Sequence, residues 1–299
     1  MEPTIHQYAS PEAMRTLCEH IDMPAEATER LITHASDIDL AVYEKQFSGL
    51  FSLDTGHEAV QAIRLLSKTE EDPTGDTGLK ALAVYLMAVR HTHTVYKSKG
   101  ISDTVFYDTM KAFTRFVNEH KASFGAYGFD RDFWIYRHHS AAIFRLGTLE
   151  FEMVHLHEGA EPIGPAGPGS PVLSVHIPSD ATLSMEDLEN SYRMAKRFFA
   201  EFFPEFKYET VFCSTWLLSP TLKEVLKPGS GILNFQSHYE ITGVDPEANS
   251  AVTWIYKREY ENYEDLPEDT SLMRGIKKIL LDGRKVGSGK GYVRDFEEL

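Results

Sequence analysis

Two apolar runs in the second half of the chain end in side chains that could carry out acid–base or nucleophilic chemistry. The first run, residues 172–177, contains His176 and leads into Ser179, and the second ends in Cys213 and Ser214. An imidazole, with an ordinary pKa of about 6.5, suits proton transfer at neutral pH. A thiol can act as a nucleophile when a nearby base lowers its pKa. Because such strand ends form the ligand clefts of open α/β folds, we expect a site here.

A capped amphipathic helix is predicted between these two runs. Ser184 begins a Ser-Met-Glu-Asp sequence typical of a helix start, and Pro204 follows the predicted end at Phe203. One apolar stripe runs along the helix: Leu188, Tyr192, Ala195, Phe198, Phe199 and Phe202. The pattern is therefore strand–helix–strand, and the N–H groups near Thr182, Leu183 and Ser184 could meet an anion at the start of the helix.

The composition limits the classes of function. The chain has 299 residues and a net charge of −15, from 30 basic and 45 acidic residues, which argues against a nucleic-acid-binding surface. Its two cysteines, Cys18 and Cys213, do not form a disulfide framework and suit a reducing compartment. The first residues lack the pattern of a signal peptide, and no apolar run approaches membrane-spanning length. We expect a cytoplasmic protein that binds no membrane.

The first part of the chain is predicted to be helical. Residues 79–96 form a nearly continuous apolar helix, and Ser102 is a suitable cap for a helix through Asn118. The pattern changes near residue 125, where glycine and aromatic residues become frequent. We therefore predict a helical domain over residues 1–122 and a second domain over residues 123–299.

The second domain is predicted to contain a mixed sheet. Residues 149–157 alternate as a strand does, and the Gly/Pro-rich residues 159–171 read as a loop. Residues 232–241 and 251–260 are expected to form an antiparallel pair. Hairpin-connected strands followed by a crossover helix indicate an α+β fold with a mixed sheet, rather than a doubly wound one.

Five short motifs, taken together and in this order, resemble those of a known family. They are F-R-L-G-T-L-E-F-E (144–152), H-I-P-S-D-A (176–181), K-R-F-F-A-E-F-F-P-E (196–205), C-S-T-W-L-L-S-P (213–220) and G-S-G-I-L-N-F (229–235). The chain resembles the bacterial acyltransferase family that pairs a helical N-terminal domain with a GNAT-like C-terminal domain. The resemblance implies a GNAT-type fold. It also implies transfer of an acyl group from acetyl-CoA or another acyl-CoA to an amine of a small-molecule or peptide acceptor.

The residues of the strand ends are the candidates for catalysis. At its strand end His176 could act as the base towards the amine, and Tyr239, on a following strand, could protonate the leaving thiolate. In the fold that the resemblance implies, Cys213 and Ser214 would lie beside the gap in the sheet that holds the thioester.

The expected coenzyme-binding loop departs from the family pattern. GNAT enzymes carry Q/R-x-x-G-x-G/A after the central strand, whereas residues 178–184 contain no glycine and include the anionic Asp180. Ser179, Thr182, Leu183 and Ser184 are the candidates for coenzyme binding in this loop. The chain from residue 274 to 294 carries seven basic residues and one acid, so Lys285 and Lys290 could help to hold the coenzyme phosphates. A flexible tail is the alternative interpretation of this basic segment.

Two other functions remain open at this point. The altered glycine loop favours a catalytically inactive GNAT-like protein that binds a metabolite. His155, His157 and Glu161 approximate the H-x-H-x3-E metal motif of cupins, although Leu149 stands where that motif has a glycine. A long crossover helix does not belong in a small β-barrel, so the metal-binding alternative ranks third.

Overall fold

The computed structural model describes residues 5–257 and 260–298, and it divides the chain into two compact units. The first unit is Met1–Arg145 and the second is Leu146–Leu299. In the described residues, no helix combines the length and the apolar character needed to cross a membrane.

The first unit is built from α-helices, as the sequence predicts. They are α1 Pro11–His20, α2 Ala25–Asp37, α3 Glu44–Phe47, α4 Leu53–Leu66, α5 Leu79–Ser98, α6 Asp103–Phe124 and α7 Asp132–His139. Helix α5 contacts α1, α2, α4, α6 and α7, and its residues from Ala81 to Val89 are all buried. An apolar surface on every side is typical of such a central helix. The predicted cap is also present, since the Ser102 hydroxyl accepts the N–H of Val105 at 3.4 Å.

The second unit combines helices with a six-stranded mixed sheet. Its elements are β1 Ile143–Leu146, β2 Leu149–His155, β3 Pro171–His176, α8 Met185–Phe202, β4 Val211–Thr215, α9 Gly231–Ser237, β5 Tyr239–Asp245, α10 Ser250–Tyr256, α11 Ser271–Leu281 and β6 Ser288–Val293. Strand β1 begins before the division between the units. The strands lie in the order β1-β2-β3-β4-β6-β5. The α+β class with a mixed sheet is confirmed.

The sheet contains a parallel pair of strands at its centre. β2 and β3 are antiparallel, whereas β3 and β4 are parallel and are joined by the crossover helix α8. β4 and β5 then pair antiparallel with either side of β6. The strand that comes last in the sequence therefore lies between two earlier ones.

Helix α8 forms where the sequence places it. The Ser184 hydroxyl accepts the N–H of Asp187 at 3.1 Å, which satisfies one of the unpaired amides at the helix start. Tyr192 and Phe199 are buried along the predicted stripe. Because the stripe packs against the sheet, it fixes the position of α8 relative to the ends of β3 and β4.

The division between the units lies later than the predicted boundary at residue 122. Helix α6 continues through that position to Phe124, and α7 follows and packs against α4. The change in composition near residue 125 marks the loop between α6 and α7, not the end of the helical unit.

Three predicted elements differ from the structure. Residues 232–237 belong to α9 and the strand begins only at Tyr239, while residues 250–256 form α10, so the predicted antiparallel pair is wrong. The partner of β5 is β6 instead. The basic segment is not a flexible tail, because it forms α11 and β6.

Candidate active site

The register pairs between β3 and β4 end before the strands do. In the described residues these strands pair only at Leu173 with Val211 and at Ser174 with Phe212. β3 nevertheless continues to His176 and β4 to Thr215. Past their last pair no further register pair joins these described parts of the two parallel strands, although the Cys213 thiol still reaches the Val175 carbonyl, and we call the stretch between their carboxyl ends the gap.

The residues beside this gap are divided between the two faces of the sheet. Side chains alternate along a strand, so His176 lies on the same face as Ser174, and Ser214 on the same face as Phe212. Because Ser174 and Phe212 are register partners, His176 and Ser214 share one face. We call it the polar face, and it also carries Glu150 of β2.

Helix α8 covers the opposite face, which we call the helix face. Phe151 is the register partner of Val175, and its ring lies 6.2 Å from that of Tyr192 on α8. Cys213 lies on this face by the alternation of β4. The predicted catalytic residues are thus separated, with Cys213 on one side of the sheet and His176 on the other.

His176 is paired with a carboxylate on the polar face. Its Nε2 lies 2.8 Å from Oε2 of Glu152, and the Glu152 side chain is 8 % exposed. Glu152 faces Ser174 across the β2–β3 ladder, and Glu150 faces His176. Two buried acids therefore lie beside the imidazole, and the sequence analysis did not identify either of them as part of the site.

Cys213 and Tyr239 are enclosed on the helix face. The Cys213 thiol donates to the Val175 carbonyl at 3.1 Å, and burial raises the pKa of that thiol. Tyr192 donates its hydroxyl hydrogen to the Tyr239 hydroxyl at 3.2 Å, and burial raises the pKa of Tyr239 well above its ordinary value. A protonated, buried thiol is a poor nucleophile. Cys213 is therefore a poor candidate nucleophile, and Tyr239 lies on the opposite face of the sheet from His176.

The start of α8 already holds an anion. The carboxylate of Asp187 accepts hydrogen bonds from the hydroxyls of Ser184 at 2.7 Å and Thr182 at 2.9 Å, and these bonds lower its pKa. The Leu183 carbonyl accepts from Asn234 at 3.2 Å. Ser179 lies earlier in the same loop. A phosphate at this helix start would meet the charge of Asp187, so these four loop residues are weak candidates for coenzyme binding.

The two candidate lysines lie near the same edge of the sheet as the ends of β3 and β4. Gly289, near the start of β6, faces Thr215, at the end of β4, and Lys290 faces Ser214 on the polar face. Lys285 precedes β6 and pairs with Glu247 at 3.0 Å, while Lys290 lies 3.9 Å from Glu161. Both ammonium groups are partly exposed, so an anionic ligand could compete for them.

Comparison with known families identifies the family to which the chain belongs. Residues 12–141 match the N-acyltransferase N-terminal domain, and residues 143–293 match the GNAT-like C-terminal domain. The chain belongs to the acyltransferase family that combines these two domains. The matches meet close to the division between the two compact units.

Solved acyltransferase structures share the fold. One, in complex with decanoyl-CoA and teicoplanin, is 22 % identical, with a TM-score of 0.77 over 94 % of this chain and 87 % of that chain. A variant of such an acyltransferase, in complex with octanoyl-CoA, is 21 % identical, with a TM-score of 0.78 over the same shares of the two chains. No curated protein matches the chain.

The metal-binding alternative finds no support in the site. β2 ends at His155, so His157 lies outside the strand and the two imidazoles do not share a strand face. Glu161 is the residue that approaches Lys290. Among the described residues, no group of three or more His, Cys, Asp or Glu side chains could hold a metal ion.

Glu152 is the residue of the site that the sequence analysis missed. The signal was present, because Glu150 and Glu152 alternate with apolar residues in a strand that is buried on both faces. Buried carboxylates are rare unless they are paired or hydrogen-bonded. Acids at two successive positions on one face of such a strand indicate a polar network, although they do not identify its partner.

Proposed function

We propose that the protein transfers an acyl group from acyl-CoA directly to an amine of a small molecule or peptide, with His176 as the general base. The observation that carries this proposal is the position of His176. It ends β3 where that strand leaves β4, on the polar face, and its imidazole is hydrogen-bonded to the carboxylate of Glu152. Acyl transfer to an amine needs such a base, because the attacking nitrogen must lose a proton.

The steps of the reaction follow from that position. His176 removes a proton from the amine as its nitrogen attacks the thioester carbonyl, and a tetrahedral intermediate forms. The intermediate collapses by breaking the carbon–sulfur bond, which yields the amide and the coenzyme thiolate. Ser214 is exposed on the same face and its hydroxyl can donate a hydrogen bond to the departing sulfur. The Cys213 thiol takes no part, so no acyl-enzyme forms.

The gap between β3 and β4 is the proposed site of the thioester, and the lysines beside it are the proposed phosphate ligands. Lys285 and Lys290 supply positive charge near the sheet edge where the gap opens. Structural relatives have been crystallised with decanoyl-CoA and octanoyl-CoA, and one also with teicoplanin. We therefore include octanoyl-CoA and decanoyl-CoA with acetyl-CoA as candidate donors, and glycopeptides such as teicoplanin with simple amines as candidate acceptors.

The test is the release of free coenzyme thiol with this panel of donors and acceptors, followed by mass spectrometry of the acylated product. His176→Ala is expected to lower kcat by about 100-fold or more, in the range that general base catalysis contributes. His155→Ala is the matched control, because His155 is an exposed histidine of the same sheet. It should retain full activity.

Two outcomes would oppose the proposal. Full activity of the His176→Ala variant would remove His176 from the mechanism. Binding of acyl-CoA without turnover of any donor–acceptor pair would favour the inactive metabolite-binding protein. That alternative rests on the glycine-free loop 178–184 and on the start of α8, where the Asp187 carboxylate accepts the Ser184 hydroxyl.

A further inference from the structure

We propose that Glu152 fixes the tautomer of His176, so that Nδ1 and not Nε2 is the nitrogen that accepts the proton. This inference rests on the proposed function only for its consequence in catalysis. The tautomer itself is a property of the protein without substrate. Glu152 is thus a positioning residue, acting through the imidazole and not on the substrate.

A hydrogen bond joins the side chains of His176 and Glu152. Nε2 of His176 and Oε2 of Glu152 are 2.8 Å apart, the length of a charge-assisted hydrogen bond. In its ionised form the Glu152 carboxylate has lone pairs but no proton, so in that form it can only accept. The hydrogen must therefore reside on Nε2. In a neutral imidazole the second nitrogen then carries the lone pair, and in His176 that nitrogen is Nδ1.

The sheet holds this pair in place. β2 and β3 are joined by register pairs from Glu150–His176 to His155–Pro171, and Glu152 and His176 lie diagonally across that ladder. Glu152 is buried, so water competes little for its oxygens. A ladder restricts the backbone more than a loop would, and it therefore restricts the rotation of the imidazole as well.

The consequence for catalysis concerns both stages of the proton transfer. Before the reaction, the hydrogen bond presents the Nδ1 lone pair in one orientation. After Nδ1 has taken the proton, the imidazole carries a positive charge, which the adjacent carboxylate stabilises. Loss of Glu152 should therefore lower kcat by about 10-fold or more, as loss of the partners that orient metal-bound histidines does, with little change in KM.

The first test is the ring tautomer in solution. In protein labelled with ¹⁵N in its histidine rings, two-bond proton–nitrogen correlations at neutral pH or above distinguish the tautomers. The chain has 13 histidines, so the signal of His176 is assigned by its loss in His176→Ala. We expect the Nε2–H form. The Nδ1–H form in the unmodified protein would overturn the proposal, and this measurement requires no variant of Glu152.

The second test is a pair of substitutions on the same strand. Glu152→Leu removes the acceptor with a side chain of similar size, and we expect a mixture of tautomers together with the fall in kcat. Glu150→Gln is the comparison, because Glu150 is also buried on the same face, while Glu152 is the acid whose Oε2 lies 2.8 Å from Nε2. It should leave the Nε2–H form intact. An unchanged tautomer in Glu152→Leu would overturn the proposal.

The two proposals fail in distinguishable ways. If no donor is turned over but His176 is the Nε2–H tautomer, the proposed function is wrong and the role of Glu152 in orienting the ring stands. If acyl transfer depends on His176 but the Nδ1–H form is found, the function stands and this inference fails.

Discussion

His176 and Cys213 lie near the ends of neighbouring strands, and the sequence makes both of them candidates for catalysis. Their environments in the structure differ. His176 is partly exposed on the polar face and is hydrogen-bonded to Glu152. Cys213 is buried on the helix face, and its thiol donates a hydrogen bond to the Val175 carbonyl. At the scale of the residue, the face of the sheet and not the position near a strand end therefore decides which of the two side chains is accessible.

Both cysteines should be inert in the folded protein. Burial raises the pKa of Cys18 to about 11, and it raises that of Cys213 further. Because the thiolate is the reactive species, a disulfide reagent at neutral pH should label neither thiol in the native state and both after denaturation. Ser36→Cys, on an exposed position of α2, is the positive control. Rapid labelling of native Cys213 would contradict its burial.

At the scale of the element, helix starts and buried stripes were predictable, whereas two of the shorter segments were not. Ser102 and Ser184 cap α6 and α8 as their sequence patterns indicate. Residues 250–256 are rich in branched and aromatic side chains, which favour strands. They form α10 because Ala251, Val252 and Tyr256 together bury one side of a helix against the core formed with α11.

β6 shows a second reason why prediction from local pattern fails. Its sequence contains Gly289 and Gly291, which weaken a strand when considered alone. In the sheet, a Cβ at Gly289 would lie 2.5 Å from the Leu218 carbonyl oxygen, and one at Gly291 would lie 2.4 Å from that of Glu240. The glycines are explained by neighbours that are distant in the sequence, and no local periodicity reveals such neighbours. The same limit applies to the Glu152–His176 pair.

The cap of α8 should contribute measurably to stability. Ser184→Ala removes the acceptor for the Asp187 N–H and a donor to its carboxylate, so the free energy of unfolding should fall by about 1 kcal/mol. Urea denaturation measures this change. Ser36→Ala is the comparison, because Ser36 is exposed and caps no helix start, and its effect should stay within about 0.5 kcal/mol. Equal effects of the two substitutions would argue against the cap.

The buried histidine at the end of α7 should make the helical unit sensitive to acid. Neither ring nitrogen of His139 has a hydrogen-bond partner among the described residues, and burial lowers its pKa to about 3. The unfolded chain binds a proton at this residue below its ordinary pKa of about 6.5, and the folded chain does not. Its contribution to stability is therefore complete above that pH and is lost as the pH falls from about 6.5 towards 3.

Denaturation followed by helix circular dichroism measures this effect. The free energy of unfolding should fall by up to about 1.4 kcal/mol for each pH unit below about 6 on account of this histidine. His139→Phe should reduce the slope, whereas His155→Ala, an exposed histidine of the second unit, should not. An identical slope in His139→Phe and the unmodified protein would show that another group is responsible.

At the scale of the whole molecule, the sequence gives the net charge and the position of the basic segment. The structure shows that this segment is ordered. The net charge of −15 coexists with a basic segment that the structure places in α11 and β6. Arg284 and Lys285 in this segment pair with acids contributed by earlier parts of the chain. The basic segment is therefore an ordered part of the second unit, and Lys290 within it faces the strand beside the gap.

Acyl-CoA affinity should depend on this segment and not on charge in general. Lys285→Ala combined with Lys290→Ala should weaken acyl-CoA binding by roughly 10-fold, since each exposed charge pair contributes up to about 1 kcal/mol. Isothermal titration measures the affinity, and added salt should reduce the difference. Lys111→Ala, which removes an ion-paired lysine of α6, is the matched control. Unchanged affinity in the double variant would remove these lysines from the donor site.

The position of β6 has a consequence for how the protein is made. β6 lies between β4 and β5, yet it leaves the ribosome after both of them. Until it is synthesised, the facing edges of β4 and β5 have no partner, and open strand edges promote association between chains. The second unit must therefore complete its sheet late in translation, and a nascent chain that stalls before residue 288 would be a substrate for chaperones.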